Sequence, residues 1–190
     1  MGFFDALLGK RKVAGIAPDR LFAITTATIT LETAHNIKHR GRAAVVFQPL
    51  ATGAFEQIAS EVEELVRSTG EETGTTVSTT EDSYGYRWFV LHDDDIEDQA
   101  VGVNAVTDAL AVGGYNDRVL CAVFAFEDAK GAPVYFIYNY KRGTWYPFVP
   151  ADGQQQRSNE RELQIKAQLG GELPFEADLE RWFPLWGTPI

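Results

Sequence analysis

The chain has 190 residues, of which 45% are hydrophobic and 12% aromatic, with a formal net charge of -10 and a pI near 4.7. This length and composition predict a globular unit that buries its own core without disulfides. The negative charge repels phosphate backbones and argues against nucleic acid as a partner. A single cysteine, Cys121, and the lack of a secretory signal or a long apolar span favour a cytoplasmic protein.

The first twelve residues, MGFFDALLGKRK, predict an amphipathic segment in front of a single domain at 19–190. Its apolar and basic positions are Phe3, Phe4, Leu7, Leu8, Lys10, Arg11 and Lys12. An apolar helical face followed by cations is typical of a helix that lies at a membrane surface, here the inner face of the membrane. The alternative is that the segment packs its apolar face on its own domain. Residues 1–42 carry a net charge of +4 and the remainder -14, so a basic front end precedes an acidic body.

The next part of the chain predicts β-structure with little helix. We expect a helical turn at 21–23, a strand at 28–32 in a β-branched run, and a strand at 42–50. His35 and His39 have the i, i+4 spacing of metal ligands on a helix, but a third ligand is missing. This stretch is therefore interpreted as a polar loop, and no metal site is predicted.

Three segments have the sequence pattern of helices. Segment 52–68 repeats apolar residues with helical period and is expected to stop at Gly70. Segment 96–112 is followed by a glycine pair, and segment 159–169 begins with Asn-Glu-Arg-Glu, the spacing of a capping box. These helices are predicted to cover a sheet.

Two strands and an acidic run lie between the first two of these helices. The strands are predicted at 77–80 and 84–91. The run His92-Asp-Asp-Asp95 resembles part of a cation site, but the alternating ligands and distal glutamate of a calcium loop are missing. We interpret Asp95 or a neighbour as the N-cap of the following helix, with the other carboxylates favoured by the helix dipole.

The segment 134–150, VYFIYNYKRGTWYPFVP, predicts a hairpin around which the other elements pack. Gly143 supplies the positive φ that closes its turn, and the apolar run 118–126 precedes it. Residues 119–150 therefore predict a three-stranded antiparallel meander. The fold class is α+β, a two-layer sandwich with a mainly antiparallel sheet covered by about three helices. The order of elements resembles small chaperone-like folds, an analogy that transfers no function.

The C-terminal segment 173–190 concentrates aromatic residues in LERWFPLWG. It either straps across the sheet as part of the core or exposes an aromatic dock for a partner. Together with the hairpin it provides the predicted binding residues, which are Lys141, Arg142, Trp145, Tyr146, Trp182, Phe183 and Trp186. An exposed aromatic strip of this kind also allows a homodimer.

A second hypothesis makes the protein a small-ligand binder or an enzyme. It places an anion pocket at Lys141, Arg142, Tyr84, Tyr86, Arg157 and Arg161. The sequence shows no catalytic signature and indicates no cofactor, so a protein without enzymatic activity is the first expectation.

Five motifs are similar to those of a known family: MGFFDALLGK, DSYGYRWFV, YNYKRGTWYPFVP, ELQIKAQLGGEL and DLERWFPLWG. With them the chain resembles the PspA-associated protein family PspAB of actinobacteria. The resemblance implies a phage-shock-type envelope-stress context, with PspA or an HtpX-like membrane peptidase as the protein partner. It implies no catalytic residues. We therefore expect an adaptor or regulator that binds a protein partner.

Overall fold

The structure, a computed structural model, describes residues 18–151 and 155–190, without the side chains of residues 18, 69 and 71–73. A six-stranded antiparallel sheet in the order β2-β3-β1-β4-β5-β6 lies at its centre. Its strands are β1 (Lys38–Phe47), β2 (Thr76–Glu81), β3 (Arg87–His92), β4 (Val119–Glu127), β5 (Pro133–Asn139) and β6 (Thr144–Phe148). The helices are α1 (Pro18–His35), α2 (Gly53–Thr73), α3 (Ile96–Val112) and α4 (Asn159–Leu169). The predicted α+β fold is confirmed, and α1 is an additional helix.

Helix α1 corrects the prediction of a turn at 21–23 and a strand at 28–32. Leu21, Ile24 and Leu31 share one buried helix face. Three of the threonines, which favoured a strand, donate their hydroxyls to carbonyls within the helix; Thr28 Oγ1, for example, donates to the Ile24 carbonyl at 2.8 Å. Burial of the apolar face therefore outweighs the β-propensity of the branched residues.

Helix α2 starts as predicted but continues past its expected stop at Gly70. Thr52 is the N-cap, and its hydroxyl accepts from the Phe55 N–H at 3.3 Å. The helix ends at Thr73 because the left-handed conformation is taken up by Gly74, with φ 92°, and not by Gly70.

Residues 35–39, which were predicted to form a polar loop, belong mostly to a helix end and a strand. His35 ends α1, whereas His39 lies in β1, so the two rings belong to different elements and only residues 36–37 connect them. His39 Nε2 is 2.8 Å from Gln99 Oε1, and its ring contacts Phe126 edge-on at 5.3 Å. Burial lowers the pKa of His39, against a smaller opposing effect of its Gln99 hydrogen bond.

The strand predicted at 84–91 is shorter in the structure. Strand β3 begins at Arg87, because the Asp82 carboxylate accepts from the backbone N–H groups of Tyr84 and Tyr86 and holds them in a turn. Both tyrosines are exposed at this turn.

The meander of β4, β5 and β6 is confirmed. The strands pair antiparallel, with Phe124 opposite Phe136 and Ile137 opposite Tyr146. Gly143 has the positive φ, 64°, that the turn requires. Tyr140 belongs to the turn and not to β5.

Helix α3 has its predicted bounds and its predicted cap. The Asp95 carboxylate accepts from the Glu97 N–H at 2.7 Å. Asp93 bonds the Asp95 N–H and, at 2.5 Å, the Thr75 hydroxyl. The acidic run therefore organises the entry into α3.

Helix α4 also has its predicted bounds, but the capping box is wrong. Ser158 occupies the N-cap position, but its side chain does not accept a capping hydrogen bond from the first turn of the helix. The Glu162 carboxylate turns inward, where it accepts from the Val149 N–H at 2.9 Å and from Arg157. A long-range partner has displaced the local one that the spacing predicts.

The two faces of the sheet are covered in different ways. On one face, the helix face, the helices pack on large side chains that include Phe47, Phe124 and Phe136. On the other, the tail face, the C-terminal residues Trp182 and Ile190 are buried on side chains of the strands, with Leu185, Trp186 and other partly buried groups around them. The sheet therefore has a helical layer on one side and a short irregular segment, the tail at residues 182–190, on the other.

Candidate functional site

The predicted binding residues of the β5–β6 hairpin divide between the two faces of the sheet. Trp145 is fully buried on the helix face, and its Nε1 donates to the Arg20 carbonyl at 2.7 Å. Tyr146 is buried on the tail face, stacks on Trp182 with ring centroids 6.2 Å apart and donates its hydroxyl to the Phe183 carbonyl at 3.2 Å. Both rings are thus internal contacts of the fold.

The two cations of the hairpin turn have different surroundings. Lys141 is exposed, whereas Arg142 pairs with the buried carboxylate of Glu176. Glu176 also accepts from the Thr144 hydroxyl at 3.2 Å and from the Asp178 N–H at 3.1 Å. The Arg142 hydrogen bond lowers the pKa of Glu176 to about 2.

This ion pair closes one edge of the sheet. Beside it the Trp145 N–H donates to the Pro174 carbonyl at 2.9 Å, and the Glu176 N–H donates to the Trp145 carbonyl at 2.8 Å. Strand β6 is therefore covered by residues 174–176, and Arg142 serves to hold them there.

The alternative anion pocket is not assembled from its predicted residues. The tyrosines lie in the β2–β3 turn and Lys141 and Arg142 in the β5–β6 turn, four strand spacings or about 19 Å apart. Arg157 pairs with Glu162, and Arg161 with Asp128.

Some aromatic residues of the tail are buried on the sheet and one is exposed, so the strap and the exposed surface predicted from the sequence both occur. Trp182 is buried, and Trp186 is partly buried against the edge of Phe148 at 5.1 Å. These rings belong to the strap across the sheet. Phe183, in contrast, is 59% exposed.

A groove of about 340 Å³ lies between α4 and the 3-10 helix Leu179–Arg181. Its lining residues are Arg157, Asn159, Glu162, Leu163, Leu179, Glu180 and Trp182. We call it the C-terminal groove. Leu163 is 45% and Leu179 49% exposed, so two large apolar side chains on its walls remain in contact with water.

The floor of the C-terminal groove is fixed by a charged cluster. Arg157 Nε lies 2.9 Å from Glu162 Oε2, and Arg157 Nη1 donates to the Trp182 carbonyl at 2.5 Å. Burial raises the pKa of Glu162, and its hydrogen bonds with Arg157 and Val149 oppose that shift. The cluster ties the start of α4 to the tail.

Charged groups of both signs surround the groove: Lys166 Nζ lies 5.4 Å from the ring centroid of Trp182, and two carboxylates lie at or near the lining. Glu180 lines the groove, and Glu160 is exposed in the first turn of α4. Within residues 18–151 and 155–190, neither carboxylate forms an ion pair. The apolar walls and these two carboxylates therefore suit a ligand that has apolar and cationic side chains.

The sequence did not single out Leu163 and Leu179 as surface residues. In α4 the buried residues Ile165 and Leu169 are four apart, and Leu163 lies about 200° around the helix from Ile165. This angle is the feature of the sequence that predicts an exposed side chain for Leu163. For Leu179 the chain offers no comparable periodicity.

Neither a metal-binding cluster nor a membrane-spanning helix is found in the described part of the chain. No group of three or more His, Cys, Asp or Glu side chains there has an arrangement that could hold a metal ion. None of its helices combines the length and apolarity that a membrane span requires.

Comparisons with known proteins identify the family. The model of PspA associated protein B matches residues 1–190, the whole chain. Searches of curated proteins and of solved structures gave no match. Because the family model covers every residue, the chain belongs to the PspA associated protein B family.

Proposed function

We propose that this protein is an adaptor without enzymatic activity that binds a PspA protein through the C-terminal groove, in an envelope-stress context. The family description supplies the association with PspA. The observation that carries the choice of surface is the half-exposure of Leu163 and Leu179 on either side of a preformed groove. Apolar anchors in such a depression are the usual source of binding energy at protein interfaces.

The groove favours one kind of partner segment. Its apolar walls belong to α4 and the 3-10 helix, Glu180 lines it, and Glu160 lies in the first turn of α4. An amphipathic helix with apolar residues on one face and Lys or Arg beside them fits both features. We therefore propose that a helix of PspA with this pattern is what the groove binds, and that an HtpX-like peptidase is the alternative partner.

The binding proposal is tested by calorimetric titration of PspA from the same organism into the purified protein. Leu163→Glu combined with Leu179→Glu is expected to weaken binding at least tenfold, because each removes an apolar anchor and adds repulsive charge. Ile29→Glu is the matched control, since Ile29 is 64% exposed on α1, away from the groove. Equal affinity of the groove variant and the wild type, with both folded by circular dichroism, would contradict the proposal.

The non-enzymatic part of the proposal has its own test. The intact mass of PspA, measured before and after incubation with this protein, is expected to stay the same. Cleavage or a covalent change of PspA that depends on this protein would overturn it.

The proposal places the protein in the cytoplasm, at the inner face of the membrane. The basis is the sequence of residues 1–12, which lies outside the described residues. Three cations contribute about 1 kcal/mol each at an anionic surface, so replacing Lys10, Arg11 and Lys12 with glutamine is expected to weaken binding to anionic vesicles about 100-fold. Flotation with anionic and with neutral vesicles measures the fraction of protein bound. If the wild type and the glutamine variant float with anionic vesicles to the same extent, the membrane contact is removed from the proposal.

A further inference from the structure

The C-terminal groove has a candidate occupant within its own chain. Residues 1–17 precede α1 and lie outside the described residues. Their sequence contains four large apolar residues, Phe3, Phe4, Leu7 and Leu8, and three cations, Lys10, Arg11 and Lys12. Apolar side chains suit the walls of the groove, and cations suit Glu180 on its lining and Glu160 in the first turn of α4.

The segment enters the described structure beside the edge of the sheet that carries the groove. Helix α1 begins at Pro18, and Arg20 Nη1 donates to the Gly143 carbonyl of the β5–β6 turn at 3.3 Å. The neighbouring Arg142 pairs with Glu176. The Glu176 carbonyl in turn accepts from Trp182 Nε1 at 3.2 Å, and Trp182 lines the groove.

The length of the intervening chain is sufficient. Residues 9–17 span up to about 30 Å when extended. A chain of direct contacts leads from the start of α1 to the groove, through the β5–β6 turn, Glu176 and Trp182. The apolar positions of the segment can therefore reach the groove while α1 stays in place.

A second groove of the described structure fits the segment less well. It lies between α2 and α3, beside Gly102 and Ala105, and has a volume of about 130 Å³. Helix α2 packs beside β2, at the far edge of the sheet, and α3 lies between α2 and α1. The segment would have to cross α1 and α3 to reach it.

We propose that residues 3–12 bind in the C-terminal groove of the same chain, with Phe3, Phe4, Leu7 and Leu8 against Leu163 and Leu179 and the cations toward Glu160 and Glu180. Given the proposed function, the segment and PspA compete for one surface. A membrane that takes up the apolar face of the segment then frees the groove, because one face cannot be buried in both places.

The contact is measured in the full-length chain without PspA. A nitroxide spin label on Gly2→Cys is expected to remove most of the NMR intensity of the Leu163 and Leu179 methyl groups, and to leave those of Ile29 and Val112 unchanged. Cys121 is buried with a raised pKa and is expected to stay unlabelled, which intact mass verifies.

The matched variant carries Leu7→Asp and Leu8→Asp in addition to the label. It leaves the groove untouched, and the methyl intensities are expected to return to those of the unlabelled protein. Persistent loss in this variant, or no loss in the parent, would overturn the proposal.

A second copy of the chain is the competing occupant. A mixture of isotope-labelled protein without a nitroxide and spin-labelled protein without isotopes detects it. Loss of the Leu163 and Leu179 signals in that mixture would show docking between copies and overturn the proposal. Since PspA is absent from these samples, their outcome is independent of the PspA titration; if both proposals hold, Leu7→Asp with Leu8→Asp is expected to bind PspA several-fold more tightly.

Discussion

The helix face and the tail face of the sheet are both buried, yet their covers differ in kind. The helix face is covered by long helices with continuous apolar stripes, such as Leu21, Ile24 and Leu31 of α1. The tail face is covered by residues 182–190, with Trp182 and Ile190 as its buried members. One cover is regular structure with its own backbone hydrogen bonds, and the other is a strap.

The strap is held at a few points. The hydroxyl groups of Tyr135 and Tyr146 donate hydrogen bonds to the Ile190 and Phe183 carbonyls, at 2.9 Å and 3.2 Å. The guanidinium group of Arg157 donates to the Trp182 carbonyl. A segment secured by few contacts opens locally at lower free energy than a packed helical layer. Two equally buried faces of one sheet can therefore differ in local stability.

Cys121 makes this difference measurable. It lies on the tail face, 7% exposed, and burial raises its pKa to about 12. A neutral, covered thiol reacts slowly with a thiol reagent such as dithionitrobenzoate. Its rate of reaction therefore reports the opening of the tail.

The largest effect is expected from Phe136→Ala on the helix face. Phe136 is fully buried between the strands and helices and contacts Phe126 edge-on at 5.1 Å. The substitution is expected to lower the free energy of unfolding by about 3–5 kcal/mol. Urea denaturation followed by circular dichroism measures it, and Phe136→Leu should lose much less; similar losses for both would argue against a tightly packed helix face.

The next effect is expected from Trp182→Ala on the tail face. Because the tail can collapse toward the space left by the ring, we expect a loss of about 2–3 kcal/mol, below that of an interior aromatic residue. Cys121 should react about 30-fold faster if the loss appears as local opening. Phe183→Ala is the control, since that ring is 59% exposed. Unchanged Cys121 reactivity in Trp182→Ala would show that the tail does not open by itself.

A smaller, pH-dependent effect is expected from Glu176→Gln. Arg142 lowers the pKa of Glu176 to about 2, below its unfolded value, so the pair stabilises the protein above about pH 4.5 and that contribution is lost as the pH falls toward 2. Glu176→Gln is expected to cost about 1–2 kcal/mol at pH 7 and less at acid pH. Urea midpoints at pH 7, 4.5 and 3 measure it, with Glu64→Gln, exposed on α2, as the control. A constant difference between wild type and variant across these pH values would contradict the assignment.

The smallest effect is expected from Tyr135→Phe. It removes the hydroxyl that bonds the Ile190 carbonyl and should cost about 1 kcal/mol. Cys121 should then react about fivefold faster. Tyr84→Phe is the comparison, because Tyr84 is exposed in the β2–β3 turn. If Cys121 reacts at the same rate in both variants, the hydrogen bond from Tyr135 to the Ile190 carbonyl does not hold the tail in place.

Elements with strong local signals were predicted well from the sequence. Helix α3 has apolar periodicity, a capping aspartate at its start and two glycines after its end, and its bounds are as predicted. The meander was indicated by β-branched and aromatic runs around Gly143. Helix α1 was missed, because its threonines favour a strand in isolation and only packing against α3 and the sheet shows the helix to be more stable.

The candidate site was predicted in part. Aromatic density in the tail indicated a surface of interest, and the structure assigns Trp182 to the strap and leaves Phe183 outside. Leu163 and Leu179 carry the groove, yet an apolar residue in the sequence does not reveal whether a neighbour will cover it. The pairing of Arg142 with Glu176, 34 residues apart, likewise has no local signal.

The motifs of the sequence identify the family, and its hydrophobic patterns predict the α+β class. Elements capped by nearby residues are also predicted from the sequence, because capping joins positions within about one turn of each other. Only long-range packing places a short tail over one face of the sheet and leaves a groove between α4 and the 3-10 helix Leu179–Arg181. Exposure and long-range pairing are set by which distant segments meet. Their positions follow from the packing of the whole chain and cannot be read from any one stretch of it.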